Sequence, residues 1–359
     1  MKSFCVKPSS LMQPADSSMK DNLVSSWTQA LAFQVLQLLH ETLDKAAPEL
    51  ASYLGALADR IKEDFNKYLI IDNIIPGFVC RMENGSFAPM LHPEDAKTGI
   101  HYRLLPLSRS ILSNIIDQEM AEKNIRLIQQ HLYFPDGVRL MDRPASYHGG
   151  VSHLFLRAEQ AANVGREISL QYTHAHIRYI EALCKMNRAD MAWHALMQIT
   201  PVNLKNVVPN AAFRQSNLYY SSSDGNFINR YDYEENFQKL RTGSIEVKGG
   251  WRIYSSGPGI YLHRLICDIL GIQIIDGSLF ICPTLPASLD GLELDYSCFG
   301  YDFTFHYHIA GENSGNICVK QSGQILPASR CSGKYRNGGV CIKKDCLSPK
   351  DPDIHIYIS

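Results

Sequence analysis

This 359-residue sequence lacks three things, and each absence removes a class of function. It has no excess of charge: 35 basic residues stand against 36 acidic ones, a net charge of -1. No global field therefore draws nucleic acid or an anionic membrane surface to it. It has no CxxC pair and no Cys/His set at zinc spacing; its ten cysteines run singly from Cys5 to Cys346. That pattern reads as buried thiols in a reducing compartment, with no metal site. Finally, no segment reaches the length of a membrane span, and the first twenty residues, MKSFCVKPSSLMQPADSSMK, hold no apolar run of signal-peptide length. A soluble cytoplasmic protein is expected.

What is present is 45% apolar residues, enough for one large domain or two smaller ones with a real core. Residues 1–19 carry prolines and serines without period and read as an irregular end. From Asp21 to about Asp44, Leu23, Trp27, Leu31, Val35 and Leu38 keep one face apolar, and Leu50, Leu54, Leu57, Ile61, Phe65 and Tyr68 repeat the stripe after Pro48. The spacing predicts two long helices packed against each other. Residues 70–103 read as a long loop, roughly 107–131 as a helix pair with a start near Ile116, and 167–186 and 188–199 as another pair. Residues 200–250 hold little period and read as a third long loop before a helix at 259–271. After Gly271 short alternating runs, such as Phe303, Phe305 and Tyr307, predict antiparallel strands to the end.

Three junctions between loops and helices carry chemistry. In KGGWRIYSSGPGIYLHRL (248–265) a loop of glycines and serines feeds a helix, which leaves backbone N–H groups beside a positive dipole end, with Arg252 near by. In QYTHAHIRY (171–179) His174 and Arg178 are four apart on one helix face and could converge on an anion. His174 and His176, two apart, do not share a face, which argues against zinc. In MDRPASYHGG (141–150) Asp142, Arg143, Tyr147 and His148 could meet sugar hydroxyls; a salt bridge between the neighbours Asp142 and Arg143 is the competing explanation. Tyr219, Tyr220, Tyr231 and Tyr233, interleaved with Asp224, Asn226, Asn229 and Arg230, suit stacking on pyranose rings or equally a packed loop.

In their order, GREISLQYTHAHIRYIEAL, VKGGWRIYSSGPGIYLHRLICDILGI and DGSLFICPTLPASLDGLELDYSCFGYDFTFHYHI resemble the C-terminal part of glycoside hydrolase family 94, the inverting β-glucoside phosphorylases. YFPDGVRLMDRPASYHGGVSHLFLRAEQAANVGRE and VVPNAAFRQSN are similar to its 1,2-β-oligoglucan phosphorylase branch. The resemblance runs from about Leu11 to the end. It implies a mainly α chain with a β segment: an irregular 1–19, the C-terminal part of an (α/α)6 catalytic barrel over 20–271, and a small antiparallel β domain over 272–359.

The activity it implies is reversible transfer of a glucosyl unit from a β-1,2-oligoglucan to phosphate, giving α-glucose 1-phosphate. Phosphate is already an anionic nucleophile, so only one carboxylic acid is needed, to protonate the glycosidic oxygen. By resemblance His174, Ser255 and Ser256 hold phosphate, and Asp142, Arg143, His148, Glu167, Tyr172, His176 and Arg252 line the sugar site. Inorganic phosphate is the co-substrate and no cofactor is implied. The partners implied are the oligosaccharide and the missing N-terminal part of such an enzyme, or a second copy. The general acid departs from the pattern: where family members carry GDWDDTLQPAD with its aspartates, this chain reads VKPSSLMQPAD, with Ser9 and Ser10 in their place and Asp16 at a non-catalytic position. The chain alone is expected to be inactive, and a non-catalytic carbohydrate-binding remnant is the alternative. A hydrolytic (α/α)6 enzyme would need a second carboxylate, and no motif supplies one.

Overall fold

The computed structural model describes residues 22–82, 84–95, 98–145, 168–250, 256–311 and 315–359. Within the stretch expected to be helical from Asp21, residues Leu23–Ser25 form a short strand, β1. Leu23 to Ser25 pair antiparallel with Phe78 to Cys80, so the periodic residue Leu23 belongs to a sheet. Helix α1 (Ser26–Leu43) follows, its start capped by the Ser25 hydroxyl accepting the Thr28 N–H at 3.4 Å. Helix α2 (Pro48–Tyr68) carries Pro48 in its first turn and packs against α1. Small residues make the approach: Ala30, Ala51 and Ala58 are buried, and a Cβ on Gly55 would sit 3.1 Å from the His40 ring.

The expected apolar stripes are only partly used. Phe33 and Phe65 are buried, whereas Leu38 is 62% exposed, Leu50 48% and Val35 46%. The 70–103 stretch is not loop throughout, because β2 (Phe78–Arg81) and β3 (Phe87–Met90) form an antiparallel hairpin and, with β1, a three-stranded sheet. Helices α3 (Leu104–Leu112) and α4 (Gln118–Leu127) make the next pair, and Asp117 caps α4 by accepting the Met120 N–H at 2.8 Å. A π-helical turn, Ile128–Leu132, extends α4 into a tiny hairpin of β4 (Tyr133–Phe134) and β5 (Gly137–Val138).

Strand β6 (Gln171–Tyr172) leads directly into α5 (Thr173–Lys185), so this helix starts later than its periodicity suggests. Helix α6 (Ala189–Met197) is its expected successor. The supposed loop of 200–250 has a core of its own. It contains α7 (Leu204–Val207), β7 (Ser222–Gly225), α8 (Arg230–Asn236), a 3-10 turn (Phe237–Thr242) and β8 (Val247–Gly249). Leu204, Val208, Ala211, Tyr233, Phe237, Leu240 and Val247 bury together around Phe134.

Helix α9 (Ser256–Arg264) and its π-helical continuation Leu265–Ile269 precede the strands. Strands β9 (Ile272–Ile275), β10 (Ser278–Ile281), β11 (Glu293–Cys298), β12 (Tyr301–Ile309), β13 (Ile317–Gln321), β14 (Gln324–Ile325), β15 (Ser329–Ser332), β16 (Asn337–Lys343) and β17 (Asp353–Ile358) form two sheets. One, ordered β15-β16-β10-β9, is antiparallel throughout. The other, β11-β12-β17-β13-β14, departs from the antiparallel expectation: the closing strand β17 inserts beside β12 in parallel register, Phe305 opposite Ile354 and Tyr307 opposite Ile356. Alternation holds, since Phe303, Phe305, Tyr307 and Ile309 are buried and the residues between them are not.

The chain divides into two compact units, Met1–Tyr179 with Gln198–Tyr254, and Ile180–Met197 with Ser255–Ser359. Among the described residues every cysteine is a free thiol, no group of His, Cys, Asp and Glu is arranged for a metal, and no helix is long and apolar enough to cross a membrane.

Candidate functional site

A three-stranded sheet, β6-β7-β8, holds Gln171 and Tyr172, which open one of the junctions singled out in the sequence, and Val247–Gly249, which leads into another. Tyr172 pairs with Ser222, Ser223 pairs with Gly249, and the Gly250 N–H donates to the Ser222 carbonyl at 2.8 Å. The end of β8 thus lies one strand away from the start of α5. The paired glycines at 249 and 250 are required by that approach: a Cβ on Gly249 would fall 2.4 Å from the Tyr220 ring, and one on Gly250 2.0 Å from the Ser222 hydroxyl. Thr173 pins the helix start, its N–H donating to the Ser221 carbonyl and its hydroxyl to the Tyr220 carbonyl, both at 2.9 Å.

One residue on, His174 stands among aromatic rings. Its imidazole stacks on Tyr172 at 5.2 Å and 25°, and Tyr219 meets it edge-on at 6.3 Å. Burial lowers the pKa of His174, and the positive charge of Arg178 lowers it further. The ring is therefore neutral at pH 7, with one N–H to donate and a nitrogen able to take a proton when an anion approaches. Arg178 is near enough for its charge to be felt, as the four-residue spacing predicted. The Tyr219 phenol is pushed well up by burial and stays a neutral hydroxyl. Arg214, not singled out from the sequence, adds a cation on the same sheet: its guanidinium lies 5.4 Å from the Tyr220 ring and donates to the Ser223 hydroxyl at 3.0 Å. No fixed spacing in the sequence signals Arg214 or selects Tyr219 from the other tyrosines.

The remaining sequence-predicted residues divide. His176, expected in the sugar site, is fully buried: its Nδ1 accepts the Val138 N–H at 3.1 Å, and it faces Gly137, whose φ is +114° and whose Cβ, if present, would lie 2.7 Å from the ring. It is packed in the core. Asp142 and Arg143 do form the neighbour pair, Nε to Oδ2 at 2.9 Å. The Asp142 Oδ1 also accepts the N–H groups of His101 and Tyr102 at 2.9 and 3.0 Å, so this carboxylate is engaged by backbone and buried. Arg143 remains partly exposed, with Nη2 3.2 Å from the His101 Nδ1. Tyr147, His148, Glu167, Arg252 and Ser255, with Ser9, Ser10 and Asp16, lie outside the described residues, as does the Ser256 side chain.

Beneath the sheet a charged cluster locks β7 in place. Arg139 is fully buried and binds Asp136 at 3.0 Å, Asp224 at 2.8 Å and the Ser169 carbonyl at 3.0 Å. The Tyr233 hydroxyl bonds Ser169 Oγ at 2.7 Å and approaches Asp224 Oδ1 at 3.2 Å. Burial disfavours the Arg139 charge, but the two carboxylates outweigh it and hold its pKa up. Asp224 shows the converse: burial raises its carboxyl, against the pull of Arg139. Arg139 is thus a positioning group for the strand next to Tyr172.

Residues 271–357 match the family described as glycoside phosphorylase C-terminal domain. The 1,2-beta-oligoglucan phosphorylase of Listeria innocua is 47% identical over 346 residues, 96% of this chain and 31% of that protein. The chain corresponds in sequence to the C-terminal part of a glycoside phosphorylase. The cellobionic acid phosphorylase of Neurospora crassa is a more distant relative, 24% identical over 63% of this chain and 26% of its own length. This glycoside phosphorylase relative therefore spans under a third of either curated protein. A solved structure titled sialidase aligns with 90% of the chain and 27% of its own, at a TM-score of 0.51 and 13% identity, which speaks to fold alone.

Proposed function

We propose that the chain is the C-terminal part of an inverting phosphorylase for β-1,2-oligoglucans, contributing His174 and the turn after β8 to a phosphate site. The observation that supports this most directly is the row Tyr172, Ser222, Gly250 across one small sheet. It puts the start of the His174 helix one strand away from β8, the strand that precedes Ser255 and Ser256 in the sequence. A neutral imidazole donating to a phosphate oxygen, with backbone N–H groups and serine hydroxyls of the turn, would hold the dianion against an anomeric carbon. Arg178 and Arg214 add positive charge, while Tyr172 and Tyr219 suit the C–H face of a glucosyl ring. The helices before Gly271 then form the last part of an (α/α)6 barrel, and the exposed Val35, Leu38 and Leu50 meet its N-terminal part or a second copy. No cofactor is needed and the setting is cytoplasmic.

The reaction also requires an acid for the leaving oxygen. With Ser9 and Ser10 at the family's aspartate positions the chain is inactive alone; losing a positioned acid costs on the order of 100 to 10,000-fold in rate. The test is an NMR titration of the His174 imidazole with and without inorganic phosphate. Without ligand its lowered pKa means that the neutral form carries the folded-state preference, so its contribution to stability is present above about pH 6.5 and lost as pH falls through the folded value. Phosphate should raise that value, and His174→Ala should abolish phosphate binding. An imidazole indifferent to excess phosphate would sink the assignment, and glucose 1-phosphate made by the chain alone would sink the claim of inactivity. Oligoglucan binding without phosphate binding would favour a non-catalytic remnant.

A further inference from the structure

The outer face of the five-stranded sheet carries a group of imidazoles that the phosphorylase reading does not use. Cross-strand pairing sets Glu293 opposite His306, His306 opposite His355, and His355 opposite Lys320, one continuous row over β11, β12, β17 and β13. In the next row His308 stands opposite Tyr357. The rings stack in series. His306 lies on His355 at 4.7 Å and 19°, His355 on His308 at 5.3 Å and 22°, and His308 on Tyr357 at 4.5 Å and 18°. The Lys320 ammonium sits 4.8 Å from the Tyr357 ring.

Two kinds of bond hold this ladder. His306 is gripped by carboxylates from both neighbouring strands, Nε2 to Asp353 at 2.8 Å and Nδ1 to Glu293 at 3.1 Å. Both of its nitrogens must carry protons to satisfy both acids, so the ring holds a positive charge. His308 Nε2 and His355 Nδ1 meet at 3.0 Å without a carboxylate. That bond needs one N–H and one lone pair, so it survives while either ring keeps a bare nitrogen at the contact. Once both rings are imidazolium, N–H faces N–H and the bond is gone. Two cationic rings would then each be stacked about 5 Å from a cationic His355, with Lys320 beyond, and like charges directly opposite across strands repel.

We propose that this ladder is a proton-operated clasp: with the charge confined to His306 it ties β11, β12 and β17 together, and further protons on His308 and His355 open it. The groups that face it are Glu293 on β11, Thr304 on β12 with its bond to Asp295, Asp353 and Tyr357 on β17, Lys320 on β13, and Asp351 just before β17. Of these only Glu293 and Asp353 bond the ladder, both at His306. Asp351 is close enough to His355 for their charges to interact, but among the described residues no carboxylate is bonded at the His308–His355 contact itself. Asp353 and Glu293 raise the pKa of His306 above its usual value, in the direction that favours that charge.

The experiment uses the full chain. Nitrogen-15 NMR of the imidazoles should show a through-bond coupling between His308 and His355 at pH 7.5 that disappears by pH 5. Thermal unfolding of wild type and His308→Gln/His355→Gln should differ by about 2–4 °C at pH 7.5, the worth of one net hydrogen bond, and the difference should vanish at pH 5. A gap in unfolding temperature that stays constant between the two pH values, or a coupling that persists at pH 5, overturns the proposal. If the double variant does not fold, the wild-type coupling decides alone.

Discussion

The clearest quantitative consequence of the fold lies at Arg139. Its guanidinium is the largest fully buried side chain of the protein's described residues, and it faces two carboxylates, Asp136 at 3.0 Å and Asp224 at 2.8 Å. Arg139→Met keeps most of the volume and removes the charge. What remains is a pair of acids with no counter-charge, Asp136 almost sealed from solvent and Asp224 about a quarter exposed. Breaking one side of a buried pair costs about 3–5 kcal/mol, since desolvation of the survivors is no longer offset. For a unit of some two hundred residues that corresponds to a fall of about 6–20 °C in Tm. Asp224 fixes the pH dependence. Burial has already raised its folded-state pKa, so its protonated form is the one the fold favours; that contribution is complete below the unfolded value near 3.8 and lost as pH rises through the folded value. The penalty of Arg139→Met should therefore shrink from pH 7 toward pH 4, as the orphaned acids take up protons. Urea unfolding at both pH values measures this, with the exposed Arg126→Met as control. A loss under about 1 kcal/mol at pH 7, or one that grows on acidification, would refute the reasoning.

Two other outcomes follow from packing. Gly137→Ala should destabilise by about 1–3 kcal/mol in urea unfolding, because φ is +114° there and the new Cβ would meet the His176 ring at 2.7 Å. Leu38→Glu with Leu50→Lys should change stability by less than about 0.5 kcal/mol while raising solubility, because both side chains are already exposed, Leu38 at 62% and Leu50 at 48%; a loss above 2 kcal/mol would mean that these faces are packed in solution.

Helical periodicity showed where the long elements are and much less well which faces they bury. Leu31, Val35 and Leu38 recur as a buried stripe should, yet the small residues Ala30, Ala51 and Ala58 are buried while Leu38 is 62% exposed. Periodicity was blind to short elements. Between 200 and 250 each element is under eight residues, and their core forms only because Leu204, Tyr233, Phe237 and Val247 meet around Phe134, which is some seventy residues or more away in sequence. Strand neighbours were equally hidden. Alternation in IHIYI says that Ile354, Ile356 and Ile358 share a face, but not that β17 slips between β12 and β13 in parallel with the former.

The site illustrates the same limit at the scale of two residues. His174 and His176 are separated by about 200° around a helix, so the sequence alone says that they face different ways and no more. What assigns them is the chain that packs on each side. Gly137, with a conformation suited to glycine, brings the Val138 N–H to His176 and closes that side. Tyr172 and Tyr219 flank His174 with rings. The same test separates Arg143 from Asp142, because the acid is consumed by the N–H groups of His101 and Tyr102 while the guanidinium keeps its outer edge toward solvent. Packing thus separates polar residues whose hydrogen bonds hold the fold, such as Asp142 with the N–H groups of His101 and Tyr102 and Arg139 with Asp136 and Asp224, from those set among aromatic rings, such as His174.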